Sequence, residues 1–292
     1  MLKDWVDADE KDTYLIDYLF DLHGYLILKN AITESDLKEM NQWVEDHWAY
    51  VEGTRRGHDG DSGAWIGHVE THTYSSADGC NFQNIIEGGA VFRRLITYPS
   101  WIAHCRRWVG PMNGVSIHEN LLNVRGKDGY IGIHGGGALP LCYLTFRQEN
   151  TSEWMVGQIN VISALQAIGP GDGATTLIPG SHKSAIRHPM LTQQGYRSDD
   201  AAGNQIGMKE MYLDAGDTLL FTDAICHGSA ARTNDGYRRV VLYRYSPRFL
   251  RSRFHYVPSK DLLDNLDDEQ RTIIQPIPPR FAPGQSYEHF LK

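Results

Sequence analysis

Residues 158–182 read Gln-Ile-Asn-Val-Ile-Ser-Ala-Leu-Gln-Ala-Ile-Gly-Pro-Gly-Asp-Gly-Ala-Thr-Thr-Leu-Ile-Pro-Gly-Ser-His. A β-branched, apolar run over 158–164 meets a Gly/Pro/Asp turn over 169–173, then a second β-type run over 174–178. The pattern predicts two short strands separated by residues that favour turns. Working outward, the texture repeats. Further strand-like runs fall at 117–124, 143–147, 209–213, 217–221 and 239–245, with Gly- and Asp-containing turns such as 125–129 and 214–217 between them. Short strands at this spacing predict an all-β sandwich or barrel over about 114–250.

Upstream, residues 1–113 read as a helical layer. It holds a helix over 12–23, a short strand over 24–28, a helix N-capped by Thr33 or Ser35, and an amphipathic helix over 91–108 that ends at Gly110-Pro111. Residues 190–207 read as a polar surface insert, and 251–292 as a tail with a short helix near 260–265. No stretch has the composition of a linker, so one domain over 1–292 is expected.

The chain has 292 residues, with 28 Lys+Arg against 36 Asp+Glu, and this net charge of −8 argues against binding a nucleic-acid polymer. No apolar run approaches the ~18 residues of a membrane span. The acidic start, Met1 to Asp7, lacks the apolar region of a signal peptide. Cys80, Cys105, Cys142 and Cys226 form no CxxC pair, which suits reduced thiols in a cytoplasmic protein. The oligomeric state is left open.

Of 13 histidines, two stand out by position. His134 lies in Gly132-Ile133-His134-Gly135-Gly136-Gly137, after a strand and loop, and His227 in Cys226-His227-Gly228-Ser229, after the turn at 215–217. Arg238 follows His227 by 11 residues. Imidazoles from facing strands with an arginine deeper in can hold a transition metal and an anionic co-substrate.

The 158–182 stretch, the Gly24–Asn30 strand followed by a helix, and the Gly216-Asp217 … His227-Gly228-Ser229 … Arg238 block together resemble the phytanoyl-CoA dioxygenase-like family. The resemblance implies a double-stranded β-helix (jelly roll) using Fe(II), 2-oxoglutarate and O2. It implies His134 and His227 as metal ligands and Arg238 as the arginine that pairs with the far carboxylate of 2-oxoglutarate. Arg239 is the neighbouring alternative, Ser229 a second donor to that carboxylate, and Asn123 a further contact to the co-substrate or a halide.

The family's His-x-Asp is here His134-Gly135-Gly136. Three outcomes compete, and the expected one is the first: Gly136 leaves an open metal position for chloride, as in the similar iron halogenases, so that an aliphatic C–H bond is halogenated in specialised metabolism. A replacement ligand can come from Glu149, Asp172, Asp223, His118 or His182, keeping a hydroxylase. Or the protein is a ligand-binding jelly roll without turnover. The glycines can also simply serve a turn, and Asp223 reads first as a residue that orients its loop. The expected substrate is a small molecule, and the seven arginines between 232 and 253 leave room for an anionic one, with Arg248 and Trp154 as candidate contacts alongside Trp65, Tyr74 and Tyr143.

Overall fold

A computed structural model describes residues 4–53, 64–73, 77–109, 114–135, 145–147, 154–184, 186–194, 197–250 and 257–275. The amino-terminal part runs β1 (Trp5–Asp7), α1 (Thr13–His23), β2 (Tyr25–Lys29), α2 (Glu34–Asp46), α3 (Trp48–Glu52), β3 (Ala64–Ile66), β4 (Val69–His72), β5 (Cys80–Gln83), α4 (Ala90–Arg94) and α5 (Ile102–Val109). The central part runs β6 (Val115–Arg125), β7 (Gly132–Gly135), β8 (Thr145–Arg147), β9 (Trp154–Val156), β10 (Ile159–Ala164) and β11 (Thr175–Leu177). Then come α6 (Pro189–Gln194), β12 (Arg197–Ala201), β13 (Lys209–Met211), β14 (Thr218–Thr222), β15 (Cys226–Ser229), β16 (Arg238–Pro247), α7 (Lys260–Asp264) and α8 (Asp268–Ile274).

Among the described residues these strands form a nine-stranded sheet, β1-β2-β14-β10-β16-β6-β5-β4-β3, a five-stranded sheet, β12-β7-β15-β11-β13, and a separate pair, β8-β9. All named pairs are antiparallel except β1 with β2. Alternation along the strands separates two cores, because successive side chains leave a strand on opposite faces. Leu122, Val124, Leu220, Val241 and Tyr243 pack outward against Met40, Val44 and Trp101 of the helical layer. Leu121, Leu219, Ile162, Val240 and Leu242 turn inward and share a core with Leu177 and Met211 of the smaller sheet and Ile225 of the turn before β15. The two facing sheets are the expected jelly roll.

Local signals explain the helical layer. Asp12 caps α1 by accepting from the Leu15 amide, and Thr33 caps α2 by accepting from Asp36. Gly24 ends α1 at φ +78, and a Cβ there would stand 2.3 Å from His182 Nδ1. Three expectations need correction. The helix expected over 91–108 is broken: α4 passes into a 3-10 turn, Tyr98 is extended before Pro99, and α5 starts at Ile102. Residues 1–113 are not only helical, since β1 and β2 join one end of the large sheet and β3, β4 and β5 the other. The 190–207 insert contributes β12, which pairs with the strand carrying His134.

Candidate active site

Strands β7 and β15 pair with His134 directly opposite His227, and the ring centroids are 4.0 Å apart. Each ring is fixed by its own strand. His134 Nδ1 lies 2.9 Å from the Gly132 carbonyl and His227 Nδ1 2.9 Å from the Ile225 carbonyl. A carbonyl can only accept, so Nδ1 carries the proton and Nε2 keeps the lone pair. Metal-binding imidazoles are oriented in this way, through the nitrogen that does not bind. The residues present therefore fit a metal ion. Among the described residues no three His, Cys, Asp or Glu side chains already form a ready cage.

Two residues beyond His227, Ser229 faces the same way. Its Oγ accepts from the Ile131 amide and from Arg125 Nη1, each at 2.7 Å. Both lone pairs are thereby used, so the hydroxyl proton is left to donate elsewhere. Arg238, opposite Arg125 across β16 and β6, is buried and donates to Thr175 Oγ1 at 3.0 Å. Its Nε has no hydrogen-bond partner among the described residues. Burial first, then the like charges of Arg125 and Arg232, push its pKa well below the usual arginine value. A buried guanidinium with donors to spare is a seat for an anion. Arg239 points the other way, to Glu45 and the Trp48 ring, so Arg238 is the inward member of the pair.

On the other side of His227 the interior is acidic and amide-rich. Asp223 Oδ1 accepts from Gln158 Nε2 at 2.8 Å and Asn160 Nδ2 at 3.2 Å, and lies 3.9 Å from His227 Nε2. Asn160 Oδ1 in turn accepts from Arg244 Nε at 2.9 Å, and Arg244 pairs with Glu119. Nearby on the inward face, both amide atoms of Gln83 and the Asn123 oxygen are buried without a hydrogen-bond partner. Asn123 Nδ2 donates to the Asp78 carbonyl at 2.9 Å and Asn81 Oδ1 at 3.0 Å, so it turns an acceptor toward the interior.

Other expected residues lie apart from this cluster. Arg248 is half-buried in the turn after β16, beside Gly114. Trp154 begins β9, and Trp65 is exposed. Gly136, Tyr74, Cys142, Tyr143 and Glu149 lie outside the described residues. His182 is structural, placed by the Asp21 carbonyl and packed on Gly24. His118 sits at the bulge of β6, and Asp172 pairs with Arg232. Sequence reading passed over Arg125, Thr175, Gln158 and Asn160. Arg125 was findable, since it continues the period-two series from Asn123.

The phytanoyl-CoA dioxygenase (PhyH) family profile matches residues 144–240, the half of the jelly roll that carries His227 and Arg238. Over that stretch the chain is similar to this family. Bovine peroxisomal phytanoyl-CoA dioxygenase is 21% identical over 266 residues, covering 88% of this chain and 74% of the relative. Dioxygenase cdmD of Talaromyces verruculosus is 29% identical over 121 residues, 41% of this chain, and the match spans only 35% of that relative's length. Among solved structures, HygX from Streptomyces hygroscopicus with nickel and 2-oxoglutarate bound superposes at TM-score 0.64, with 19% identity over 87% of this chain and 94% of HygX. The epimerase SnoN, complexed with Fe3+, alpha-ketoglutarate and nogalamycin RO, gives TM-score 0.55 and 16% identity over 81% and 85% of the two chains. These likenesses establish the double-stranded β-helix fold. No helix among the described residues is long and apolar enough to cross a membrane. Cys80, Cys105 and Cys226 are buried and form no disulfide among the described residues.

Proposed function

We propose that the protein is an Fe(II)- and 2-oxoglutarate-dependent enzyme that functionalises an aliphatic C–H bond of a polar small molecule. The observation that carries this reading is the facing pair His134 and His227, each oriented through Nδ1 by a backbone carbonyl. His134 and His227 would hold the metal. Arg238, with Thr175 and Ser229 beside it, would hold the far carboxylate of 2-oxoglutarate. Ser229 stands about 7 Å along the strand from His227, on the same face, a span a five-carbon dicarboxylate can bridge. HygX and SnoN, of the same fold, have been crystallised with such groups. When bound, the metal and 2-oxoglutarate supply an O2-dependent oxidation in which 2-oxoglutarate yields succinate and CO2.

The chain's own residues do the rest. The apolar floor of Ile162, Leu177, Val240 and Leu242 keeps water from the arginine seat. Gln83, Asn123 and the Arg244–Glu119 pair offer donors and acceptors to a substrate rich in hydroxyl or amine groups. Gly136 admits two outcomes: halogenation if chloride takes the vacant ligand position, hydroxylation if a carboxylate reaches it. The nearness of Asp223 to His227 favours hydroxylation.

The test is the anaerobic visible spectrum of the protein with Fe(II) and 2-oxoglutarate. A charge-transfer band is expected, absent in His134→Ala and in His227→Ala. Wild-type protein that binds no metal and gives no band would overturn the reading.

A further inference from the structure

We infer that Arg125 is a positioning residue for the anion seat: it fixes the Ser229 hydroxyl so that its proton is donated to the far carboxylate of 2-oxoglutarate beside Arg238. The inference rests on the co-substrate reading above and deepens it.

Three observations carry it. First, four side chains form a frame across the two sheets. Arg125 lies opposite Arg238 on β6 and β16, and Ser229 lies opposite Thr175 on β15 and β11. Directly paired residues on one face have Cβ atoms about 5 Å apart. Arg238 Nη2 donates to Thr175 Oγ1 at 3.0 Å, and Arg125 Nη1 to Ser229 Oγ at 2.7 Å. Each arginine of the large sheet is thus tied to a hydroxyl of the small one, and Arg238 still has its Nε–H to give.

Second, the Ser229 proton has one direction left. A serine oxygen carries one proton and two lone pairs. The Ile131 amide takes one lone pair at 2.7 Å and Arg125 takes the other. The Ser229 amide donates back to the Ile131 carbonyl at 3.0 Å, which holds the backbone of the residue. Without Arg125 two positions would be open to the proton. With it, the proton points away from both donors, and the guanidinium polarises the O–H bond toward its own acceptor. Ser229 is 1% exposed, so that acceptor has to come from within the site.

Third, Arg125 is itself held. A Cβ at Gly129 would lie 2.4 Å from Arg125 Cγ and 2.8 Å from its Cδ, so the bare glycine makes room for the arginine stem. Arg125 Nε donates to the Asp78 carbonyl at 3.3 Å. The turn that holds Gly129 also brings the Ile131 amide to Ser229, and it is fastened to the Arg232 backbone at both Asp128 and Gly129. Arginine and serine are therefore oriented by one segment before a ligand arrives, and a donor oriented in advance costs the ligand less to bind.

The experiment measures the affinity of the Ni(II)-loaded protein for 2-oxoglutarate by calorimetry, without turnover. It compares wild type, Arg125→Met, Ser229→Ala and the double variant. Near-ultraviolet circular dichroism checks each fold, and Ni(II) affinity is measured before 2-oxoglutarate is added. Each single variant is expected to lose at least fivefold in 2-oxoglutarate affinity, with Ni(II) affinity within twofold of wild type. The double variant is expected to lose no more than twofold beyond Ser229→Ala, because Arg125 acts through the hydroxyl. Losses that multiply in the double variant would mean that Arg125 acts by its own charge or only braces the sheets, and would overturn the inference. So would Ser229→Ala binding 2-oxoglutarate as wild type does. If Arg125→Met does not fold, Arg125→Lys runs the same cycle, since it keeps the buried charge without the planar fork that reaches Ser229. Arg125→Lys with the affinity of wild type would overturn the inference. Wild type that binds no Ni(II), or binds it but not 2-oxoglutarate, would overturn the proposed function as well.

Discussion

The two faces of the large sheet are built from the same strands and do opposite work. On β6, Leu122 and Val124 enter the apolar core under the helices, while Glu119, Asn123 and Arg125 turn to the interior between the sheets. On β16, Val241 and Tyr243 enter the same outer core, while Arg238 and Arg244 turn inward. The outer face is close-packed and its few polar groups are structural, such as Asn120, whose side chain accepts from the Ile86 amide at 2.9 Å. The inner face buries charge that packing alone does not repay. In the proposed reading, stability and binding are thus separated by a one-residue alternation, and substitutions on the two faces should fail in different ways.

The largest effect is expected at the metal pair. His227→Ala should lower metal affinity by at least 100-fold and leave the metal-free melting temperature within a few degrees, read by calorimetry and thermal denaturation. A metal-free protein that unfolds would place His227 in the structural class and break the contrast.

Next is Arg238→Ala. Truncating a buried charge that holds an anion costs about 2–5 kcal/mol of binding, so 2-oxoglutarate affinity should fall by about 30- to 5,000-fold. The co-substrate-free protein should be no less stable, because one of three neighbouring cations is removed from a buried site. Equilibrium dialysis and denaturant melts read the two halves. Opposite signs for binding and stability in one variant sharpen the comparison more than either alone.

Leu122→Ala, on the outer face beside Phe82 and Val241, should do the reverse. The cavity is expected to cost about 2–5 kcal/mol of unfolding free energy. Metal and 2-oxoglutarate affinities of the folded fraction should not change. A ligand-affinity change as large as that of Arg238→Ala would show that the two faces are coupled.

This division was legible in the sequence only in part. The β-type runs on β6, β10, β14 and β16, set off by Gly-, Asp- and Pro-containing turns, pointed to the all-β core. His134, His227 and Arg238 stood out through the family-like motifs around them. Short strands such as β7 (Gly-Ile-His-Gly) and β15 (Cys-His-Gly-Ser) have no pattern long enough to read, yet their pairing sets the histidines face to face. The break at Pro99 was visible in the residues but outweighed by the apolar period on either side. Asp223 could be weighed as a ligand from sequence, but its place beside His227 follows from Gly135 letting the two backbones meet, a contact between positions 88 residues apart.

The smallest expected effect lies in the helical layer, at His104. Its ring stacks on Trp108 at 5.4 Å, Arg107 donates to its Nδ1 at 3.1 Å, and Asp17 faces both through Arg107 and Trp108. Burial first, then the positive charge of Arg107, holds its pKa down at about 4, against the opposing pull of Asp17. The folded protein therefore binds fewer protons here than the unfolded chain, whose histidine titrates near 6.5. The contribution to stability is present above about pH 6.5 and is lost as the pH falls toward 4, by on the order of 2 kcal/mol. His104→Gln, which keeps an acceptor for Arg107 but cannot titrate, should flatten that acid limb in urea melts run from pH 7 to pH 4. Because His104 belongs to the outer layer, the pH dependence of metal binding should be the same in this variant as in wild type. A changed binding profile would mean that proton uptake under the helices is felt across the sheet, and the separation of the two faces would no longer hold.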